Sequence, residues 1–305
     1  MAPEAHTIMI IALTIEFVVG IALNLHILFV HLGNLKNGLS LGPSDKIHLT
    51  KALVNISLHV AMTAQCLRHV FWPHVYLKYF FWVIIVITFL NFYSYWLTAL
   101  LCVYYCTNIT TCGHHIFVWL KRSLSSYLLH ILLVSGLGSL TISIPEIWIC
   151  SKKSASNSTY HCISIRGAFF ENFAYKTISS MLGCFLPFAI VFVSTTFPSW
   201  SLLIHMWRMK QNNPGFTQSN FQTQINATRT MILFLLIFVI CGVTQMFFII
   251  LRSNDSDGVM IAIWFIILSY PMSEAIVIIQ SSAKLRNSLL EKFFDRSKRN
   301  GEAKT

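Results

Sequence analysis

The sequence predicts an all-α integral membrane protein: a seven-transmembrane helix bundle with a short amphipathic C-terminal helix. Three observations carry that reading. Of the 305 residues, 55% are hydrophobic and only 11% are charged, with a mean hydropathy of +0.64, whereas soluble domains carry about 25% charged residues. Apolar runs of the length that crosses a bilayer, about 20 residues, recur along the whole chain. One of them lies in a stretch with no charged residue between Lys78 and Lys121. Short connections and the absence of an internal repeat point to a single domain, 1–305.

Taken in order, the first span is expected at about 8–32 and contains Glu16, Gly20 and Asn24. It is too long for the apolar core of a cleavable signal peptide and has no basic segment before it, so it is expected to stay as a helix. A loop with Gly33, Lys36, Gly38, Gly42, Pro43, Asp45 and Lys46 leads to the second span, about 47–69. The third is expected at about 79–106 and the fourth at about 126–149. The connection between them is polar without acidic residues and ends on Lys121-Arg122, as a cytoplasmic loop does. A polar segment of about 150–176 follows, then a fifth span at about 177–206. Its Pro187 and Pro198 are expected kink points, tolerated because neighbouring helices satisfy the freed backbone. The sixth and seventh spans, about 230–251 and 258–281, are separated only by residues 252–257. After them, Leu285, Leu289, Leu290, Phe293 and Phe294 alternate with Lys284, Arg286, Lys292 and Arg296. That spacing gives an amphipathic tail helix over about 283–296, suited to lying on the lipid surface.

Loop charges set the orientation. With the N-terminus extracellular and the C-terminus cytoplasmic, fifteen basic residues fall inside and seven outside, the asymmetry expected of a multi-pass plasma membrane protein. Lys51 is counted here among the inner loop charges. The net charge of +11 therefore reflects topology and contact with anionic membrane lipid. No nucleic acid partner is expected, since the basic residues form no aromatic-interleaved patch. The sequon at Asn157 lies in the long outer segment and is the expected glycosylation site. Cys150 and Cys162 flank the same segment and either bridge each other or stand as free thiols. Most other cysteines fall within spans, as small apolar residues. Cys106, Cys112, His114 and His115 lack metal-ligand spacing, so no metal site is expected. No hydrolase, metalloprotease or phosphate-loop pattern occurs, so neither an enzyme nor a cofactor is expected.

Several motifs then fall into register. They are Trp96, Tyr104-Tyr105, Ile109, His114 and the run Ile116-Phe117-Val118-Trp119-Leu120-Lys121 around the third and fourth spans. Glu16-Phe17-Val18-Val19-Gly20 and Asn24 occupy the first span; Pro187-Phe188, Leu202, His205 and Arg208-Met209-Lys210 the fifth. Ala227-Thr228-Arg229-Thr230 and Phe234-Leu235-Leu236 open the sixth, and Tyr270-Pro271 with Lys284-Leu285-Arg286 close the chain. Along nearly its whole length the sequence resembles the bitter taste (type 2 taste) receptor family of G protein-coupled receptors, as a divergent member. It departs from that pattern in its expected inner half: Asn55 stands where the family has Arg, and Asn108 where it has Lys. Likewise Gln224 replaces His, Glu274-Ala275 replaces His-Ser, and Ser282 replaces Asn.

The resemblance implies a chemosensory receptor that binds small, largely apolar bitter molecules in the outer half of the bundle. It would then activate a heterotrimeric G protein with a gustducin-like α-subunit. It places the ligand near Asn91, with Ile87 (where the family often has Trp), Phe92, Tyr95 and Trp264 around it; otherwise Asn91 hydrogen-bonds a neighbouring helix. Tyr105, His114, Lys121, His205, Arg208 and Arg229 would face the G protein, although the positive-inside rule alone also puts charge there. A switch network is expected of Asn24, Asn55 and Glu274. A carboxylate deep in a span is costly and normally partnered. With Asn55 in place of Arg, no basic residue is expected at the depth of Glu274, so it should be a neutral carboxyl bonded to Asn55 and Asn24; otherwise it faces water and is ionised. Glu16 is expected to face a water-filled vestibule or a cationic ligand. The alternatives are a vomeronasal type 1-like pheromone receptor or, in another class, a small transporter or channel. No internal repeats, paired broken helices or rings of charge support the latter.

Overall fold

A computed structural model of the chain describes residues 3–71, 80–109, 115–145, 173–212, 222–250 and 257–291; no strand occurs among them. The helices are α1 (Pro3–Lys36), α2 (Pro43–Phe71), α3 (Phe80–Ile109) and α4 (His115–Ser143). In α5, the segments Phe173–Ser180, Met181–Phe185 and Leu186–Asn212 run on as one helix. They are followed by α6 (Gln222–Ile250), α7 (Asp257–Leu268), α8 (Tyr270–Ser281) and a last helix α9 over 283–291. Helices α7 and α8 together make the seventh span. The protein is a seven-helix membrane bundle. Helix α3 is its axis, packing on α2, α4, α5 and α6, while α1 packs on α2 and α8, and α6 on α5 and α8.

Among the described residues, five helices carry a stretch long and apolar enough to cross a membrane: α1, α3, α4, α5 and α6. The other two spans fall short of that measure for identifiable reasons. Helix α2 is polar because its polar residues face the bundle: His48, Lys51, Asn55, His59 and Gln65 are all buried, while Leu53 and Val60 on the opposite side are exposed. Lipid solvates the outside, so the polarity of this helix is turned inward. The seventh span is cut at Ser269, after which Pro271 opens α8 and has no N–H for the preceding turn.

Helix boundaries run past the apolar stretches. Helix α4 begins at His115 rather than near 126, so the basic pair Lys121-Arg122 is helical and both residues are exposed. The apolar run marks the part of a helix that lies in hydrocarbon, and charged turns can extend the same helix into the headgroups. A non-helical Tyr127 (φ −108°, ψ 16°) kinks it at that junction. In α5 the expected disturbance at Pro187 takes the form of the π turn Met181–Phe185 immediately before it. The wider turn accommodates the lost hydrogen bond and the bulk of the proline ring. Gly183 in that turn allows close approach: a Cβ placed there would lie 2.5 Å from the Phe92 ring of α3.

Two turns fix the end of the bundle where the basic residues gather, here the basic end. Between α1 and α2 the chain reverses at Gly38, whose φ of +76° suits only glycine without strain. The amides of Asn37, Gly38 and Leu39 return to the carbonyls of Gly33, Leu35 and Asn34 at 3.0–3.1 Å, which satisfies the last carbonyls of α1. Between α8 and α9, Ser282 is extended (φ −103°, ψ 111°) and its Oγ accepts the Leu285 amide at 3.5 Å, an N-cap geometry. In α9, Leu285 is fully buried and Leu289 packs on the core, while Lys284 and Arg286 are exposed. The tail helix is thus amphipathic; Phe293, Phe294 and Arg296 lie outside the described residues.

Candidate functional site

Midway along the bundle, α2, α3 and α8 bring a polar cluster into an otherwise apolar core. Lys51 Nζ lies 2.8 Å from Glu274 Oε1, and neither side chain has any exposed surface. The ammonium also donates to the Ser94 carbonyl (3.0 Å), Ser94 Oγ (3.1 Å) and Thr98 Oγ1 (2.6 Å). Around the carboxylate, the Thr98 and Tyr270 hydroxyls donate to Oε1 at 2.9 and 2.6 Å, and Ser94 Oγ reaches Oε2 at 3.1 Å. Both charges are therefore desolvated yet paired and hydrogen-bonded, the arrangement in which a buried pair is tolerated.

This corrects the expectation for Glu274. A basic residue does stand at its depth: Lys51, one helical turn before Asn55, although the positive-inside count assigns that lysine to the inner loops. Helix α2 begins at Pro43, so Lys51 lies more than two turns inside it. Glu274 is not bonded to Asn55 or Asn24. Instead both amides donate to the Pro271 carbonyl at 3.4 Å, and Asn24 also to the Gly20 carbonyl at 2.8 Å. Asn55 reaches the ion pair indirectly, its Oδ1 accepting from Ser94 Oγ at 3.2 Å. The three expected network residues thus gather around the start of α8, but Lys51, Ser94, Thr98 and Tyr270 do the pairing. The available signal was the pair of opposite charges on two spans, a lysine and a glutamate with no other role in an apolar chain.

On α3, Asn91, Ser94 and Thr98 are spaced three and four apart and share one face. Asn91 is half-buried and has no hydrogen-bond partner among the described residues. Ile87 and Phe92 are partly buried and pack on the core, Phe92 against Gly183. Tyr95 is only 3% exposed. Its ring packs on Phe238 (4.7 Å) and edge-on to Tyr270 (5.4 Å), and its hydroxyl accepts from Gln245 at 2.9 Å. It therefore ties α3 to α6 and α8 beneath the level of Asn91. The side chain of Trp264, on α7, lies outside the described residues.

Of the residues expected to face a G protein, Lys121 and Arg229 are exposed and Tyr105 is half-buried, its hydroxyl 3.3 Å from His48 Nε2. His205 and Arg208 belong to α5, but their side chains lie outside the described residues, as do His114, Asn157, Cys150 and Cys162 altogether. Arg229 lines a cleft of about 150 Å³ with Asn226, Thr230, Leu233, Gln280 and Arg286, which adds Arg286 to the cationic lining of the basic end. Glu16 is buried between helices rather than open to a vestibule, with no partner for either oxygen among the described residues.

Comparison with known proteins gives a consistent match. A family model described as taste receptor protein (TAS2R) matches residues 1–296. Taste receptor type 2 member 2 of Homo sapiens is 26% identical over 289 residues, covering 92% of this chain and 93% of that protein. Taste receptor type 2 member 7 of Rattus norvegicus is 26% identical over 308 residues, covering 94% and 95%. Member 7 of Pan troglodytes is 26% identical over 309 residues, covering 95% and 93%.

Proposed function

Because the chain belongs to the TAS2R family, a family of chemosensory receptors and not of enzymes, we propose that it is a bitter-type G protein-coupled receptor. Small, largely apolar molecules bind in the half of the bundle that holds Asn91, and the basic end activates a heterotrimeric G protein with a gustducin-like α-subunit. The N-terminus is extracellular and the C-terminus cytoplasmic, which puts the exposed Lys121, Arg229 and Arg286 on the side of the G protein and of anionic lipid.

The observation that carries this reading is the polar stripe on α3. Asn91 sits one turn from Ser94 and two from Thr98, and Ser94 and Thr98 both touch the Lys51–Glu274 pair. A ligand that hydrogen-bonds Asn91 engages the same helix face that holds α2 to α8. Ligand binding shifts a population of arrangements only by its differential affinity for them. A contact on this face supplies such a difference, since moving α3 against α8 alters the surroundings of two buried charges.

The test is calcium release in cells co-expressing this chain with a gustducin-type α-subunit and challenged with a panel of bitter compounds. A saturable response, weakened in Asn91→Ala at unchanged surface level, is the expected result. Silence across the panel from receptor that reaches the surface, or a response indifferent to Asn91, would overturn the proposal.

A further inference from the structure

At the basic end, His31 of α1 and Asp45 and His48 of α2 converge. Each offers one ligand atom, and the three atoms lie within 4.8 Å of one another. The local sequence explains the convergence. Gly38 reverses the chain, Pro43 opens α2, and Asp45 falls in the first turn of that helix. His48 is three residues further on, so it shares a face with Asp45. His31, near the end of α1, meets that face, its ring centroid 6.0 Å from that of His48.

Three of the four imidazole nitrogens here have no hydrogen-bond partner among the described residues. His31 is fully buried, and neither of its ring nitrogens has a hydrogen-bond partner among the described residues. His48 is 3% exposed; its Nδ1 is likewise unpartnered, while its Nε2 lies 3.3 Å from the Tyr105 hydroxyl of α3. Buried imidazoles with idle nitrogens are costly unless something takes them up. We infer that His31, Asp45 and His48 form a binding site for a divalent transition-metal ion, Zn²⁺ by preference.

The donor set selects the ion. Two imidazole nitrogens and one carboxylate oxygen suit borderline cations such as Zn²⁺, whereas Mg²⁺ and Ca²⁺ take oxygen ligands. Bonds of about 2.0–2.2 Å around a tetrahedral ion put ligand atoms about 3.3–3.6 Å apart. Closing to that separation asks only for modest side-chain movement, and Asp45 is half-buried at a helix start, where its carboxylate can move. Metal-bound histidines commonly have the other ring nitrogen held by a second group, the place Tyr105 takes beside His48. The buried cation of the same helix, Lys51, is already paired with Glu274. A bound ion would tie the end of α1 to the start of α2 and, through Tyr105, to α3.

This inference does not depend on the ligand or the G protein, and its test uses neither. The full chain in lipid nanodiscs is titrated calorimetrically with Zn²⁺, with Co²⁺ as a visible-absorbing substitute. The expected result is one ion per chain, bound by Asp45→Asn and by His31→Gln with a loss greater than the roughly 10-fold that removal of a group holding a ligand costs. A smaller loss is expected for Tyr105→Phe and none for His130→Gln, an exposed histidine. Asp45→Asn keeps the side-chain size, and its thermal unfolding in chelator checks the fold; Zn²⁺ should raise the midpoint of the wild type and not of this variant. Absence of a bound ion, or equal affinity in wild type, Asp45→Asn and His31→Gln, would overturn the assignment.

Discussion

Lys51 and Glu274 stand 223 positions apart in sequence and 2.8 Å apart in space, each side chain fully buried. Around them Ser94 and Thr98 of α3 and Tyr270 of α8 supply hydrogen bonds. Three helices therefore meet at one charge pair. Asn55, where the family resemblance expects arginine, lies one turn from Lys51 on the same face of α2. In this chain the buried cation of α2 is Lys51, and Glu274 on α8 pairs with it.

Glu274→Gln leaves the shape of α8 unchanged but strands a buried ammonium. Breaking one side of a buried pair costs about 3–5 kcal/mol, so surface receptor should fall sharply. Cell-surface labelling checks this; an unchanged surface level would mean that the pair contributes little to the folded bundle.

Asn55→Arg restores the family's residue but places a second cation beside Lys51, facing one carboxylate. It should destabilise the protein, and adding Lys51→Leu should recover most of the loss. Thermal unfolding of the two variants in nanodiscs decides between this and a site indifferent to where the charge sits.

Gly183→Ala pushes a methyl group into the Phe92 ring, where a Cβ would lie 2.5 Å away. Overpacking of this kind costs about 1–3 kcal/mol. Because Phe92 neighbours Asn91, agonist potency should drop along with the unfolding midpoint, and a dose–response series reads both effects against the wild type.

Asn91→Ala removes the half-buried amide that has no partner among the described residues. Stability should hardly change, while potency for ligands with a hydrogen-bonding group falls about 10-fold, the equivalent of one hydrogen bond near 1.4 kcal/mol. A fall in stability with no change in potency would make Asn91 a packing residue.

Much of the fold was legible because lipid imposes it: apolar runs give spans, and the charge asymmetry gives an expected orientation. The start of α4 at His115 was not, because an apolar run ends where hydrocarbon ends, not where the helix does. The π turn at Met181–Phe185 was visible only as a proline expected to disturb α5. At the site, Glu274 stood out by its cost, whereas Lys51 was hidden by proximity to a loop. The expected second span already holds Lys51 near its start, and the extension of α2 back to Pro43 sets it more than two turns inside the helix. The convergence of His31 on Asp45 and His48 depends on the Gly38 reversal and has no spacing signature within one segment.

The central claim is that the Lys51–Glu274 pair couples α2 to α8 within this receptor. A double-mutant cycle with Lys51→Met, Glu274→Met and the double variant, read by thermal unfolding of the purified chain in nanodiscs, tests it most directly. The account predicts a loss of about 3–5 kcal/mol in each single variant and a double variant more stable than either, so that the coupling exceeds either single loss. Single losses that simply add, to within about 0.5 kcal/mol, would contradict it.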